Sequence, residues 1–435
     1  MPSLAKKTKN VAAPVAAIKG FTSLIQASLK ETETLKLVGG VEELRTTTSI
    51  TQLVDLMLRK AWQSGASDIH VDPQADNVIV RYRIDGVLHD IVAIDKEKQP
   101  LVITRIKVLS GMRTDEHLMA QDGRFHIVED STDIELRVSI LPTFNGENVV
   151  IRLLVGGANV LKLEDLGFSE KDLTLIRRYI HRPYGMILAT GPTGSGKTTS
   201  LYSVLRVLNT RDVSIVTIED PIEYAVDGIT QLQVNTATGF TFANGLRSIV
   251  RQDPNVIMVG EIRDQETAGI AVNAAMTGHL LLSTLHTIDA ATSLPRLLDM
   301  GIEPFLIAST VDIVIGQRLV RKLCPECRVA YALKEEERMV LARDISPETL
   351  QKYTKFFQPK GCDACSHTGY TKRIGIYEVI EVTEQIRELI MHRTNAEEIR
   401  GVARKQGMVT MFEDGFLKAS QGITSIAEII RVISD

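Results

Sequence analysis

Aromatic residues are scarce in this chain, making up 5% of its 435 residues with a single tryptophan. Stacking platforms for unpaired bases need aromatic side chains interleaved with a sustained basic stripe, and the sequence has no such stretch. Lysine and arginine total 50 against 54 acidic residues, a formal net charge of -4, so the cationic excess that draws proteins to nucleic acid phosphates is missing. Cysteine is nearly absent as well. All four cysteines fall in two CxxC pairs, Cys324-Pro325-Glu326-Cys327 and Cys362-Asp363-Ala364-Cys365, which leaves none for a disulfide framework of the secreted kind. Long apolar runs are also lacking: the stretch Val11 to Ile18 is broken by Pro14, is too short to span a bilayer and has no convincing cleavage site. The expectation is a cytoplasmic chain with neither signal peptide nor transmembrane helix, and with no specific nucleic acid partner.

What is there describes an ordinary globular protein, 24% charged and 44% hydrophobic, long enough for two or three domains that each bury a core. Residues 1–45 read as a short basic extension in which Phe21, Leu24, Ile25 and Leu29 recur at helical spacing. A small mixed α/β domain is expected over 46–155. It opens with a helix through Leu53, Leu56, Met57 and Ala61, and continues in alternating strands such as Val78 to Ile84 and Ile134 to Val138, with Asp85-Gly86 as a hairpin turn. Gly156-Gly157 and Lys162-Leu163-Glu164-Asp165 suggest a linker over 156–170. From 171 to 435, short apolar strands alternate with amphipathic helices, the pattern of a parallel sheet covered on both faces.

Within that region the strand Met186 to Thr190 runs into Gly191-Pro192-Thr193-Gly194-Ser195-Gly196-Lys197-Thr198, followed by Thr199 and a helix whose buried face holds Leu201, Val204, Leu205 and Leu208. This is GxxxxGK[ST] between a strand and a helix, a phosphate-binding loop. Its glycines turn backbone amides onto the phosphates, Lys197 reaches the β- and γ-phosphates, and the Thr198 hydroxyl ligates Mg²⁺. ATP and Mg²⁺ are therefore the expected cofactors. Hydrolysis also needs carboxylates that place the metal and orient water. Two acidic strand ends offer them: Val213 to Ile218 leads into Glu219-Asp220-Pro221-Ile222-Glu223, and Val256 to Val259 into Gly260-Glu261. A further strand has His279 before it and His286 after it. A lone histidine at a strand end is more often a satisfied polar residue than a catalyst, and chemistry alone does not decide between the two readings.

From Ser67 onward the ordered motifs resemble the secretion ATPases that drive type II secretion and type IV pilus assembly. They comprise Ser67-Asp68-Ile69-His70, Arg81-Tyr82-Arg83-Ile84-Asp85-Gly86, Gln121-Asp122-Gly123-Arg124, the phosphate loop, Ile218 to Tyr224, Arg251-Gln252-Asp253-Pro254, Gly260-Glu261-Ile262-Arg263-Asp264, the His279 to His286 segment, the four cysteines and Gly422-Ile423-Thr424. The resemblance implies a RecA-like core preceded by a PAS-like α/β domain that closes over the nucleotide. It also implies that Glu219 and Glu223 help place Mg²⁺ and the attacking water, that Glu261 is the Walker B acid, and that His279 and His286 sense the γ-phosphate. Arg137 and Arg152 of the small domain would then touch the phosphates. A homo-hexamer acting on an inner-membrane platform protein, held at the cytoplasmic face of that membrane, is implied in the same way. Three departures stand out: Ala120 where relatives commonly have proline, Asn255 where an acid is usual, and an N-terminal region much shorter than the docking domains of full-length relatives.

The cysteine pairs lie 34 residues apart. Two tight turns, each supplying two thiolates, suit a closed structural Zn²⁺ site formed by Cys324, Cys327, Cys362 and Cys365. A redox pair would need a thioredoxin-like context that is absent. The gap is expected to hold helices beginning near Glu335, in a zinc subdomain over about 318–378, followed by a helical region over about 380–435. In the family this sequence resembles, retraction ATPases lack the tetracysteine insertion, so the pairs favour assembly. Pilus retraction, nucleic acid translocation and nucleotide-dependent scaffolding without turnover remain the alternatives at this point.

Overall fold

The computed structural model describes residues 42–155, 161–342 and 344–434. The helical pattern over Phe21 to Leu29 and the Gly156-Gly157 pair lie outside the described residues.

Ser49 caps the helix Ile50–Gln63, whose Leu53, Val54, Met57, Leu58 and Ala61 form one buried stripe. Six antiparallel strands follow: β1 (Ala66–Pro73), β2 (Asn77–Ile84), β3 (Val87–Asp95), β4 (Gln121–Glu129), β5 (Thr132–Thr143) and β6 (Gly146–Val155). They lie in the order β3-β2-β1-β6-β5-β4. Asp85 and Gly86 both take positive φ, 49° and 86°, the backbone of a two-residue hairpin turn between β2 and β3. Alternation sorts the side chains. Ile69, Val71, Val80, Tyr82, Ile134, Leu136 and Ile151 pack under the helices Ile50–Gln63 and Gln99–Leu109, and the Tyr82 hydroxyl donates to the Met57 carbonyl at 2.7 Å. Charged side chains occupy the opposite face.

The second sheet is formed by β7 (Gly185–Thr190), β8 (Ile215–Glu219), β9 (Thr230–Gln233), β10 (Val256–Val259), β11 (Leu280–Leu285), β12 (Val311–Leu323) and the later edge strand Tyr370–Glu381. Between β12 and that edge, the chain makes an excursion through the small pair β13 (Val329–Ala332) and β14 (Lys355–Gln358), with helices Glu335–Leu341 and Pro347–Lys352 between them. The edge strand, β15, completes the order β15-β12-β7-β11-β10-β8-β9. Strands β7 to β12 pair in parallel, but β15 runs antiparallel to β12, so the sheet is mixed where the alternating pattern predicts a parallel one. The physical reason is the connection. The excursion leaves and returns at the same end of β12, without the helical crossover that a parallel neighbour requires.

Every side chain of β7, β8, β10 and β11 is buried, between two apolar layers that carry the helices of either face. The segment 161–166, which reads as charged linker, instead forms a 3-10 turn at Leu163–Leu166 whose leucines enter the core while Glu164 and Asp165 remain outside. Asn255, where an acid is expected, ties the starts of β8 and β10 together: its side-chain oxygen accepts from the Ser214 amide at 2.7 Å. No helix among the described residues is long and apolar enough to cross a membrane.

Candidate nucleotide site and cysteine cluster

At the end of β7 the chain turns through Gly191 with φ +146°. A Cβ there would stand 2.4 Å from the Gln317 carbonyl oxygen and 2.7 Å from Ser195 Oγ, so only glycine lets the loop pack this closely on β12. The helix Lys197–Leu208 begins after Gly196, in the left-handed region, with no side-chain cap. Its first amides are thus left for an anion, in the direction that the helix dipole favours. Ser195 Oγ is buried with no partner among the described residues, a donor that a phosphate oxygen would satisfy. Lys197 Nζ rests on the carbonyls of Gly191 and Pro192 at 2.8 and 3.0 Å. Burial pulls its pKa down to about 8, opposed by the nearby Glu261 carboxylate. These features fit a polyphosphate.

Parallel strands deliver the acidic groups to the same edge of the sheet. Glu261, just past β10, is engaged through both oxygens: Oε2 lies 2.8 Å from His286 Nε2, and Oε1 lies 2.6 Å from Arg263 Nη2. His286 follows the end of β11. Glu219, the last residue of β8, is buried and accepts from the Tyr202 hydroxyl at 2.7 Å, from Thr217 at 2.6 Å and from Gln231 at 3.3 Å. Burial raises its pKa despite those bonds. Its oxygens are therefore committed to holding the strand ends in place, while Glu223, half-buried, and Glu261 offer carboxylate to the cavity. Together with the Thr198 hydroxyl they form an oxygen-only donor set, which suits Mg²⁺.

The opposite wall comes from the charged face of the first sheet. Strand register places Arg83 opposite Asp68, Asp68 opposite Arg152, Arg152 opposite Arg137 and Arg137 opposite Arg124, a row across four strands plus the edge. Like charges directly opposite one another destabilise a sheet, so such a row is unfavourable until an anion meets it. Between the walls lies a cavity of about 980 Å³, bordered by Lys197, Thr198, Glu261 and His286 on one side and by Arg83 and Arg152 on the other. Its size is ample for a nucleoside triphosphate.

The residues Pro192 to Thr199, Glu219, Glu223, Glu261, His286 and Arg152 all border this cavity. Arg137 does not. Its Nη2 donates to the Ile222 carbonyl at 3.1 Å, beside Glu223 in the loop that follows β8, which makes it a tie between the walls. His279 is not brought to the loop either. It precedes β11, whose far end carries His286, and at about 3.3 Å per residue the two lie roughly 20 Å apart. There its Nδ1 sits 2.9 Å from the Ala274 carbonyl, and its own carbonyl accepts from Gly185, at the start of β7. Asp68, Arg83, Tyr202 and Arg263 join the site without having been assigned a role from sequence. The alternation of β2 puts Arg83 on a polar face, but only the register shows what faces it.

The four cysteine sulfurs lie within 4.8 Å of one another. Neighbouring pairs are separated by 3.9 Å (Cys324–Cys362), 3.8 Å (Cys327–Cys365) and 3.7 Å (Cys362–Cys365). A tetrahedron with Zn–S bonds of about 2.3 Å has edges of roughly 3.8 Å, so the cluster fits Zn²⁺. Burial works against the Cys365 thiolate, yet amides of Cys362 and Gly369, at 3.3 and 3.1 Å from its sulfur, bring its pKa below the usual thiol range. Burial pushes the Cys327 thiol up to about 12, so ligation there must displace a proton.

The family model described as Type II/IV secretion system protein matches residues 43–431. Type II secretion system protein E of Pseudomonas aeruginosa is 45% identical over 384 residues, covering 88% of this chain and 75% of the relative. Type II secretion system ATPase E of Vibrio cholerae is 44% identical over 387 residues, with 89% and 76% covered. Type IV pilus assembly ATPase PilB of Thermus thermophilus is 43% identical over 379 residues, 87% of this chain and 42% of that longer protein. Among solved structures, the pilus retraction motor PilT with bound ADP is 26% identical at a TM-score of 0.57, covering 87% of this chain and 96% of that one. The Legionella pneumophila ATPase DotB, at 23% identity and a TM-score of 0.65 over 91% of this chain and 98% of that one, shares the fold. With its phosphate loop, clustered acids and matched length, the chain belongs to the type II/IV secretion system protein family and is one of its ATPases.

Proposed function

We propose that this chain is the subunit of a homo-hexameric motor that hydrolyses Mg-ATP to power assembly of a type IV pilus or a secretion pseudopilus, acting from the cytoplasmic face on an inner-membrane platform protein. The observation that carries the chemistry is the cavity itself, with the phosphate loop and the Glu261–His286 pair on one wall and Arg152 with Arg83 on the other. Lys197 and the loop amides bind the β- and γ-phosphates. Thr198, Glu261 and Glu223 would hold Mg²⁺, which when bound neutralises phosphate charge. Glu261 orients water and accepts its proton, and His286, hydrogen-bonded to it, reads the γ-phosphate. Glu219 keeps the strand ends rigid through Tyr202, Thr217 and Gln231. Arg152 meets the charge that develops on the transferring phosphoryl group, and Arg137 ties the two walls. His279 serves as a structural residue at the far strand end. The small domain over 46–155 is the part that closes, and Cys324, Cys327, Cys362 and Cys365 hold a structural Zn²⁺ outside the reaction.

Assembly is favoured over retraction by the cysteine cluster and by relatives above 40% identity that are named for secretion or pilus assembly. The likeness to a retraction motor supports the second reading. A deletion strain separates them: loss of surface fibres or of a secreted protein supports assembly, and accumulation of fibres supports retraction.

A further inference from the structure

Asp68 is the only acid in the row of arginines that crosses the first sheet, and it stands between the two that border the cavity. One carboxylate oxygen lies 3.1 Å from Arg152 Nε and the other 3.4 Å from Arg83 Nε. Ser67 Oγ donates to Asp68 Oδ2 at 2.9 Å, which fixes the carboxylate from its own strand. Asp68 is 7% exposed, whereas the Arg152 side chain is 58% exposed and can move unless held. The mode of contact matters as much as its existence. A carboxylate that engages a guanidinium through Nε leaves the terminal nitrogens free, and those of Arg152 take no partner among the described residues. Arg152 therefore presents a pair of donors to the cavity from a fixed direction, the geometry that a phosphoryl group accepts.

We propose that Asp68 is a positioning residue for ATP hydrolysis: it holds Arg152 by Nε, so that the terminal nitrogens reach the γ-phosphate as the site closes. This rests on the reading of Arg152 as the phosphate contact. An arginine that must first be gathered from many rotamers loses part of its effect in the transition state, and small misplacements of such groups are costly. Asp68 also borders the cavity, but its carboxylate repels phosphate oxygens, so it acts through Arg152.

The test is a double-mutant cycle on the full-length chain, with kcat and KM for ATP, and melting temperature measured in parallel. R152A should lower kcat by about 100-fold. D68A should lower it by about 10-fold with little change in KM, and D68N, which retains an acceptor oxygen, should recover part of that loss. The D68A/R152A chain should match R152A alone within about twofold, because the arginine that Asp68 aims at the γ-phosphate is gone. Effects that multiply in the double variant, with R152A slow, overturn the role of Asp68 alone. An R152A chain at the wild-type kcat overturns the reading of Arg152 and the proposal with it. If D68A and D68N lower only the melting temperature and leave kcat untouched, Asp68 is structural and the proposal fails.

Discussion

Lys197 carries the most direct pH prediction of any residue in the site. Burial holds its pKa near 8, so without bound phosphate the ammonium would be largely charged at pH 7 and largely neutral at pH 9. Bound phosphate favours the charged form and raises that pKa. Nucleotide binding above about pH 8 therefore takes up a proton, and affinity falls as pH rises, by about tenfold between pH 7 and pH 9. Calorimetric titration with a non-hydrolysable ATP analogue in buffers of different ionisation enthalpy measures both effects, and equal affinities at the two pH values contradict the assignment. The loop residues were readable in the sequence because their groups are contiguous and mostly backbone. The Asp68–Arg152 contact was not, since it links residues 84 positions apart through strand register. Histidines of one segment look equivalent as letters, yet six strand residues separate His279 from His286, and only His286 reaches Glu261.

At the scale of elements, the alternation of β1 to β6 and the burial of β7, β8, β10 and β11 follow from side-chain pattern, and those strands were legible. The antiparallel β15 was not. An apolar strand reads the same in either direction, and its direction is set by the excursion that carries the cysteines. That excursion yields a prediction of its own. C324S should lose bound zinc, measured by plasma emission spectrometry, and should melt at lower temperature, because metal binding free energy contributes to the folding of the turns it joins. Nucleotide affinity should stay within a few-fold of wild type, as the sulfurs lie outside the cavity wall. Unchanged zinc content in C324S contradicts the four-sulfur site. Within the first sheet, Y82F removes the bond from a fully buried hydroxyl to the Met57 carbonyl and should cost about 1 kcal/mol in a urea melt, with the slope unchanged. A neutral result would mean that this bond does not tie the helix Ile50–Gln63 to the sheet.

In the whole molecule, the residues that border the cavity are carried by two sheets that share no strand. Composition and periodicity show two α/β regions, but which face of the first meets the phosphate loop is a tertiary fact. The paired walls, with Arg137 on the Ile222 carbonyl and Arg152 across from Lys197, make closure the natural way to complete the site. In the proposed mechanism the chemistry converges on Glu261, which is held between His286 and Arg263. The most direct test is the steady-state ATPase rate of E261Q beside its affinity for ATP. The substitution keeps the shape and one of the two acceptor oxygens while removing the negative charge that makes the group a base, so turnover should fall at least about 100-fold with a much smaller loss of nucleotide binding. An E261Q chain that hydrolyses ATP at the wild-type rate would contradict the account.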